Sequence, residues 1–223
     1  MPESYHRPFI YTPPTEPFLN VLHADDHILV LDKPAGLLCV TGKTPDLFDC
    51  LEYRAQKHYP EATIVHRLDM STSGILLMAM NIDAHRNLSR QFEQRKTTKT
   101  YIAKIWGKPE AQSGHIDLPL CCDWPNRPRQ MVDHERGRAS QTDWEVMQYE
   151  DKHTRVRLRP ITGRSHQLRV HMQSLGHPIL GDEFYAHEKA YQASDRLCLH
   201  ALSLSFHHPE DGRIVTFETP CPF

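Results

Sequence analysis

The sequence predicts an α+β fold in which strands outnumber helices and neighbouring strands pair mainly antiparallel, rather than a doubly wound parallel sheet. Two hairpin patterns lead to this prediction. FLNVLHADDHILVLDKPAG (18–36) places apolar stretches on both sides of Ala-Asp-Asp, and the second stretch ends at Pro34. LHALSLSFHHPEDGRIVTFETP (199–220) places two more around Pro-Glu-Asp-Gly. Strands joined by turns as short as these are antiparallel.

Between the two hairpins, the first half of the chain predicts two helices and two strands. DLFDCLEYRAQKHYP (46–60) has an apolar helical side and stops at a proline. GILLMAM (74–80) is an apolar run typical of a buried strand. NIDAHRNLSRQFEQRK (81–96) has apolar residues four apart on one helical side and arginines on the other. KTYIAKIWG (99–107) alternates as a strand does.

The second half predicts a long loop, two strands and one helix. Residues 110–140 show no periodicity and are predicted as a loop. DWEVMQY (143–149) and TRVRLRP (154–160) are predicted as strands. In the second of them, three arginines alternate with two apolar residues, which predicts a sheet with one basic face. GRSHQLRVHMQSLGHP (163–178) is predicted as a helix that ends at Gly176.

Length and composition predict a soluble globular protein. The chain has 223 residues, of which 24% are charged and 39% hydrophobic, enough for one core or for two packed lobes. The longest apolar run, GILLMAM, is too short to span a bilayer. Residues 1–17 form a proline-rich, irregular arm that lacks the apolar core of a signal peptide. We therefore expect a cytoplasmic protein that does not associate with membranes.

The cysteines and histidines do not predict a metal site. The six cysteines show no CxxC spacing, and free buried thiols are expected in a cytosolic chain. The 16 histidines include no HExxH pair. The nucleotide-binding motifs GxGxxG and GxxxxGK[ST] do not occur either. We expect neither a metal nor a cofactor.

Basic residues are concentrated in two segments, although the net charge of the chain is −2. Residues 86–108 hold seven basic residues and one acid, a net charge of +6. Residues 154–181 hold five arginines and no acid. Local basic zones on a nearly neutral chain indicate a directed contact with a polyanion. The alternative is that these basic residues lie on solvated surfaces, where acidic residues from other parts of the chain balance their charge.

HRLDMSTSG (66–74) contains the most suggestive carboxylate of the chain, Asp69. Arg67 lies two residues before it, so both side chains leave the same side of an extended segment. A nearby guanidinium favours the ionised carboxylate, which can act as a nucleophile or as a base. The segment contains no second acid, so a two-carboxylate glycosidase is not favoured. A turn aspartate in a salt bridge is the structural alternative.

Three segments resemble the motifs of the RluA-type pseudouridine synthases. They are HRLDMSTSGILLMA, DDHILVLDKPAGLLCV and ITGRSHQLRVHMQSLGHPILGDEFY, and the resemblance extends over about residues 17–220. DLPLCCDWPNRPRQ further resembles the subgroup that modifies both large-subunit ribosomal RNA and the anticodon stem-loop of tRNA. Some relatives carry an S4-like RNA-binding domain in front. We expect none here, because the catalytic motifs begin by residue 20.

The resemblance implies a role for four residues. Asp69 matches the catalytic aspartate of the family, and Tyr101 matches the tyrosine that packs on the target base. Arg169 matches the arginine that pairs with the aspartate. Arg67 matches the arginine that enters the RNA where the flipped uridine was. The implied fold is a mixed, mainly antiparallel central sheet in two halves, with flanking helices and a central cleft.

The implied domain plan is the arm over 1–17 followed by one catalytic domain over 18–223, which itself reads the RNA. The basic segments and the family motifs supply the candidate RNA contacts. Besides Arg67, these are Arg90, Arg95, Lys96, Lys99, Arg127, Arg129, Arg155, Arg157, Arg159, Arg164 and His166.

The implied function is isomerisation of specific uridines to pseudouridine in structured RNA, by base flipping and an aspartate-dependent route. The expected partners are ribosomal RNA and tRNA stem-loops, with the protein acting as a monomer without an obligatory protein partner. Two alternatives stay open. One is a catalytically silent RNA-binding or ribosome-assembly protein on the same fold. The other is a base-excising hydrolase, which would release free uracil.

Overall fold

A computed structural model describes residues 10–223, so the first nine residues of the predicted arm lie outside the described part. Residues 10–20 form neither helix nor strand. The strands are β1 (Val21–Ala24), β2 (Ile28–Lys33), β3 (Thr63–Ile64), β4 (Ser73–Ala79), β5 (Thr98–Trp106), β6 (Ser113–Asp117), β7 (Leu120–Cys122), β8 (Gln130–Val132), β9 (Gln141–Tyr149), β10 (His153–Pro160), β11 (Leu199–His207) and β12 (Ile214–Glu218). The α-helices are α1 (Leu51–Gln56), α2 (Ile82–Glu93), α3 (Gln167–Ser174) and α4 (Glu188–Tyr191).

One mixed, mainly antiparallel sheet organises the molecule, which confirms the predicted fold class. Its strands follow the order β1-β2-β4-β11-β5-β10-β9-β6, with β3 also on β4 and β12 also on β11. Within residues 10–223, only β4 and β11 pair in parallel, and this pair joins the two halves of the sheet. β7 and β8 form a separate two-stranded sheet.

Gly74, the last residue of HRLDMSTSG, is required at the parallel junction. Its φ is +112°, and a Cβ at this position would lie 2.2 Å from the carbonyl oxygen of Ala201 on β11. Any other residue would therefore push the two halves of the sheet apart. The glycine of the motif is explained by this close approach of two backbones.

Helices cover the sheet on both faces. α1 packs on one face of β2 and β4, through Leu51 and Ala55, and α2 packs on the other face, through Ala84 and Leu88. Because β2 and β4 are covered on both sides, their sequences are continuous apolar runs. α3 packs on β5 and β10 in the second half. None of the helices within residues 10–223 has the length and apolarity needed to cross a lipid bilayer.

Both predicted hairpins form, as β1–β2 and β11–β12. The helix predicted over 46–60 is shorter: a 3-10 turn occupies Pro45–Leu47, and α1 begins only after Cys50, whose sulfur accepts the Tyr53 N–H. The loop predicted over 110–140 contains β6, β7 and β8, so that prediction was wrong. These strands are three to five residues long and have little buried apolar surface, so they carry no readable alternation.

Candidate active site

A cleft of about 660 Å³ lies where the two halves of the sheet meet. The first half contributes the loop that contains Arg67 and Asp69, and the second half contributes Tyr101 from β5. The segment before and at the start of α3 closes the opposite wall with His166 and Arg169. Tyr101 packs against the apolar cores of both halves, so it sits on the floor between them.

The loop around Asp69 is held on both sides of the aspartate. On one side, the Leu68 N–H donates to the Cys39 sulfur over 3.3 Å, and the Cys39 thiol donates to the Leu68 carbonyl over 3.1 Å. On the other side, the Met70 carbonyl accepts from the Gly36 N–H and from the Lys33 ammonium, each over 2.9 Å. The DKPAGLLC segment therefore fixes the backbone that presents Asp69.

Lys33 is a buried cation that ties two segments together. Its side chain is inaccessible to solvent and donates to the carbonyls of Pro34, Leu37 and Met70. Burial lowers the pKa of Lys33 to about 8, with the nearby Cys39 and Asp69 opposing that shift. The ammonium is therefore protonated at pH 7 and has all three of its donors satisfied.

We expect Lys33→Met to destabilise the protein by about 3 kcal/mol, because three carbonyls would each lose the hydrogen bond from the ammonium at once. Urea unfolding followed by circular dichroism measures this change in the free energy of unfolding. Lys108→Met, at an exposed lysine, is the matched control and should unfold as the wild type does. Equal stability of the two variants would contradict the proposed role of the buried ammonium.

Arg169 bridges two aspartates that are far apart in the sequence. Its Nε and Nη2 atoms donate to the two carboxylate oxygens of Asp182, both over 2.8 Å, and its Nη1 atom donates to Oδ2 of Asp69 over 3.2 Å. The Arg169 side chain is 3% exposed and that of Asp182 is inaccessible, whereas that of Asp69 is 25% exposed. Asp69 is thus the carboxylate of the three-residue group that a ligand in the cleft can reach.

Charge complementarity keeps the Arg169 guanidinium ionised. Burial on its own would lower the pKa of Arg169, but the hydrogen bonds and charge of Asp182, together with the charge of Asp69, raise it above its ordinary value. The rings of Phe184 and Tyr185 lie 5.1 and 5.2 Å from the guanidinium carbon and add cation–π contacts. A buried arginine held in this way is a permanent positive charge beside Asp69.

The hydroxyl of Tyr101 is free to meet a ligand. It has no hydrogen-bond partner among residues 10–223. Burial and then the negative charge of Asp69 raise the pKa of Tyr101 above its ordinary value, so the hydroxyl keeps its proton at physiological pH. The half-buried ring offers a flat apolar surface with a polar end.

Five of the predicted RNA contacts line this cleft: Arg67, Arg95, Lys99, Arg164 and His166. Arg127 lines a second depression, which also contains Asp69 and His166. Arg129 lies over the Tyr185 ring, with its guanidinium carbon 5.5 Å from the ring centre. Arg90 and Lys96 are exposed at the end of α2 and just beyond it, and neither lines the cleft.

The arginines of β10 lie on the other side of the sheet. Leu158 pairs with Tyr101 and packs under α3, so the alternating Arg155, Arg157 and Arg159 point away from the cleft. The last two contact Glu145 on β9, and Arg155 donates to the Phe223 carbonyl. The predicted basic face is therefore a mixed-charge face, because a neighbouring strand supplies the acid.

Four residues of the site were not predicted from the sequence as functional: Lys33, Arg138, Asp182 and Tyr185. Asp182 and Tyr185 belong to the quoted segment HPILGDEFY, and Lys33 belongs to DKPAG, so the motifs contained them. The spacing of these residues in the sequence did not indicate which side chains they would contact. Within residues 10–223, no group of three or more His, Cys, Asp or Glu side chains is arranged to hold a metal ion.

Comparisons with known proteins identify the family of the chain. Residues 27–174 match the family model described as RNA pseudouridylate synthase. The dual-specificity RNA pseudouridine synthase RluA of Escherichia coli (strain K12) is 52% identical over 214 residues, which cover 96% of this chain and 98% of that protein. The protein of the same name from Vibrio vulnificus (strain CMCP6) is 53% identical over 218 residues, 96% of this chain and 87% of its own.

Solved structures show the same fold. Human RNA pseudouridylate synthase domain containing 1 superposes with a TM-score of 0.76 at 30% identity, over 92% of this chain and 84% of that chain. Human RNA pseudouridylate synthase domain containing 4 has a TM-score of 0.74 at 25% identity, over 91% and 88% of the two chains. The chain therefore belongs to the RNA pseudouridylate synthase family.

Proposed function

We propose that this protein converts uridine to pseudouridine in structured RNA, with Asp69 as the carboxylate that acts on the target nucleoside. The observation that carries the proposal is the partly exposed carboxylate in the cleft, held by a buried guanidinium over 3.2 Å. Family membership supplies the reaction type. The geometry supplies an ionised oxygen, a cation that orients it and an aromatic surface beside it.

The reaction rearranges bonds within one nucleoside. The N1–C1′ bond of uridine breaks, the uracil turns, and a new bond joins C5 to C1′. The proton on C5 leaves and N1 gains a proton, so substrate and product are isomers and no electrons are exchanged with a third group. The protein has to hold the base while it turns. It also has to stabilise C1′ of the ribose while this carbon has no bond to the base.

Asp69 meets the second requirement, and three routes are compatible with its position. The carboxylate can attack C1′, it can remove a ribose proton to give a glycal-like intermediate, or it can add to C6 of the base. In each route Arg169 keeps the carboxylate ionised and oriented. Tyr101 meets the first requirement, because its ring can stack on the uracil and its hydroxyl can relay the proton that leaves C5.

Base flipping comes before this chemistry. Extruding a base costs a few kcal/mol, and the cost is smallest in a loop. Arg67 is exposed at the mouth of the cleft and has no carboxylate within ion-pair distance among residues 10–223. We infer that its guanidinium enters the RNA stack and offsets part of the cost of extrusion.

Uncompensated positive charge at the cleft supports RNA as the substrate. Arg95, Arg138 and Arg164 line it, and no carboxylate among the described residues lies within ion-pair distance of them. Burial lowers the pKa of Arg164, and the charges of Arg138 and Arg95 add to this. Burial, and then Arg95, likewise lowers the pKa of Lys99 to about 8. A cluster of cations that repel one another is stabilised by a polyanion.

We therefore expect Arg164→Gln to weaken RNA binding and to reduce the slope of log Kd against log salt concentration by about 1. Filter binding of a stem-loop RNA at several potassium chloride concentrations measures both quantities. Arg213→Gln is the matched control, since Arg213 is exposed on the β11–β12 turn and paired with Asp211. An unchanged slope for Arg164→Gln would contradict the phosphate contact.

The relatives' shared designation as dual-specificity enzymes supports two classes of substrate here as well. We propose that stem-loops of ribosomal RNA and of tRNA both enter the cleft. We also propose that residues 18–223 act as one catalytic domain, as a cytoplasmic monomer without an obligatory protein partner.

Purified protein and stem-loop RNA labelled with tritium at C5 of uridine test the proposal. We expect tritium release to solvent, pseudouridine on nucleoside analysis and no free uracil. RNA binding without tritium release would instead support the catalytically silent protein, and free uracil would support the hydrolase. Pseudouridine mapping in RNA from cells that lack the protein then identifies the target uridines.

A further inference from the structure

We infer that His166 is a positioning residue for Asp69, acting as the donor to the carboxylate oxygen that Arg169 leaves unoccupied. This inference rests on the proposed function. The sequence placed His166 among the RNA contacts. The structure instead places its imidazole beside Asp69, with Nε2 4.0 Å from Oδ1, whereas Arg169 takes Oδ2.

A hydrogen-bond chain favours one of the two tautomers of the His166 imidazole. The backbone N–H of Gln130 on β8 donates to the Tyr185 hydroxyl oxygen over 2.8 Å. With one lone pair of the oxygen occupied, the hydroxyl can donate its proton to Nδ1 of His166, which lies 2.7 Å away. A neutral imidazole that accepts at Nδ1 is protonated at Nε2, so its N–H faces Asp69. Burial lowers the pKa of His166, which keeps the ring neutral at pH 7.

The backbone and the ring packing hold His166 in this orientation. Its φ of +53° and ψ of +15° are left-handed, and it precedes the first turn of α3. The imidazole stacks on the Phe184 ring at 13° between planes, with 5.7 Å between centres. A non-glycine residue in this conformation is uncommon and indicates a site where direction matters. Capping of α3 does not explain the left-handed backbone of His166, since its side chain makes no cap hydrogen bond.

The distance of 4.0 Å between Nε2 and Oδ1 exceeds a hydrogen bond in the free protein. Contacts of this kind are often long before the substrate binds and shorten in the complex. With both oxygens engaged, the carboxylate can approach the sugar only in one orientation. The same chain connects His166 to β8, and therefore to the β7–β8 hairpin that carries Arg127.

Two substitutions at position 166 separate the roles of the two imidazole nitrogens, Nδ1 and Nε2. His166→Asn keeps an acceptor for Tyr185 and tolerates left-handed φ, but it removes the donor that faces Asp69. His166→Gln places an amide N–H near the position of Nε2. We expect His166→Asn to lower the single-turnover rate constant by about 10- to 100-fold, with an RNA Kd within about threefold of the wild type. His166→Gln should be faster than His166→Asn by about tenfold.

Tyr185→Phe gives a second test that does not alter position 166. It keeps the ring over Arg169 and removes the hydroxyl, so the His166 tautomer protonated at Nε2 is no longer favoured. We expect a smaller rate loss, and the double variant should be no slower than His166→Asn alone. Thermal unfolding of every variant identifies any that fails to fold.

Three results would overturn the inference: a wild-type rate for His166→Asn, equal loss for the Asn and Gln variants, or multiplicative losses in the double variant. A defect confined to Kd would overturn it too and would return His166 to the RNA contacts. A wild-type protein without isomerase activity would overturn the proposed function itself, which the same assay reports separately.

Discussion

Asp69→Asn is expected to lower the rate of pseudouridine formation by about 10⁴-fold or more, while the protein still folds and still binds RNA. The amide has the size of the carboxylate but carries no charge and is a far weaker nucleophile and base. It can still accept from Arg169. The substitution therefore removes the chemistry and leaves the shape of the cleft.

Tritium release under single-turnover conditions measures this loss, and filter binding measures the affinity for the stem-loop. Asp26→Asn is a suitable control, because Asp26 is exposed on the β1–β2 turn and does not line the cleft. If the Asn variant at position 69 released tritium at the wild-type rate, the assignment of the reacting carboxylate would be wrong. If it lost affinity alone, Asp69 would be a binding residue.

Asp182→Asn is expected to have the second-largest effect, and on stability as well as on activity. Asp182 is inaccessible to solvent and accepts two hydrogen bonds from Arg169 and two more from backbone N–H groups of Phe184 and Tyr185. Removing its charge leaves a buried guanidinium with only Asp69 to balance it. Breaking a buried ion pair from one side costs about 3–5 kcal/mol.

Urea unfolding measures that cost, and the isomerase assay at a temperature where the variant is folded measures the loss of orientation at Asp69. Asp143→Asn removes the acid of an exposed pair with His115 and serves as the control. Exposed ion pairs contribute little to stability, so this control should have the same free energy of unfolding as the wild type. A fully stable Asp182→Asn protein would show that Arg169 is held by its aromatic neighbours instead.

Much of the fold could be predicted because local signals agree with it. The two hairpins have turn residues between apolar runs, and the runs in β2 and β4 are continuous because helices cover both faces. β6, β7 and β8 could not be predicted. They gain their stability from pairing partners and not from apolar surface of their own, so the sequence contains no periodic signal for them.

The site was predictable only where a motif contained it. Arg169 and Asp69 are 100 positions apart, and no spacing rule connects them. Family resemblance made that connection. The alternation of arginines in β10 was correct, but the face that lines the cleft depends on pairing with β5. Glu145 on β9 pairs with two of the three arginines on the opposite face. Strand register and neighbouring charge are tertiary properties.

The structure of an Asp69→Asn complex with a stem-loop RNA tests the central claim most directly, since the inactive variant keeps the substrate in place. We expect the target uridine everted into the cleft, its base against Tyr101 and its C1′ atom within about 4 Å of the side chain at position 69. A uridine that stays stacked in the loop, or an everted base lodged away from Tyr101 and Arg169, would contradict the account.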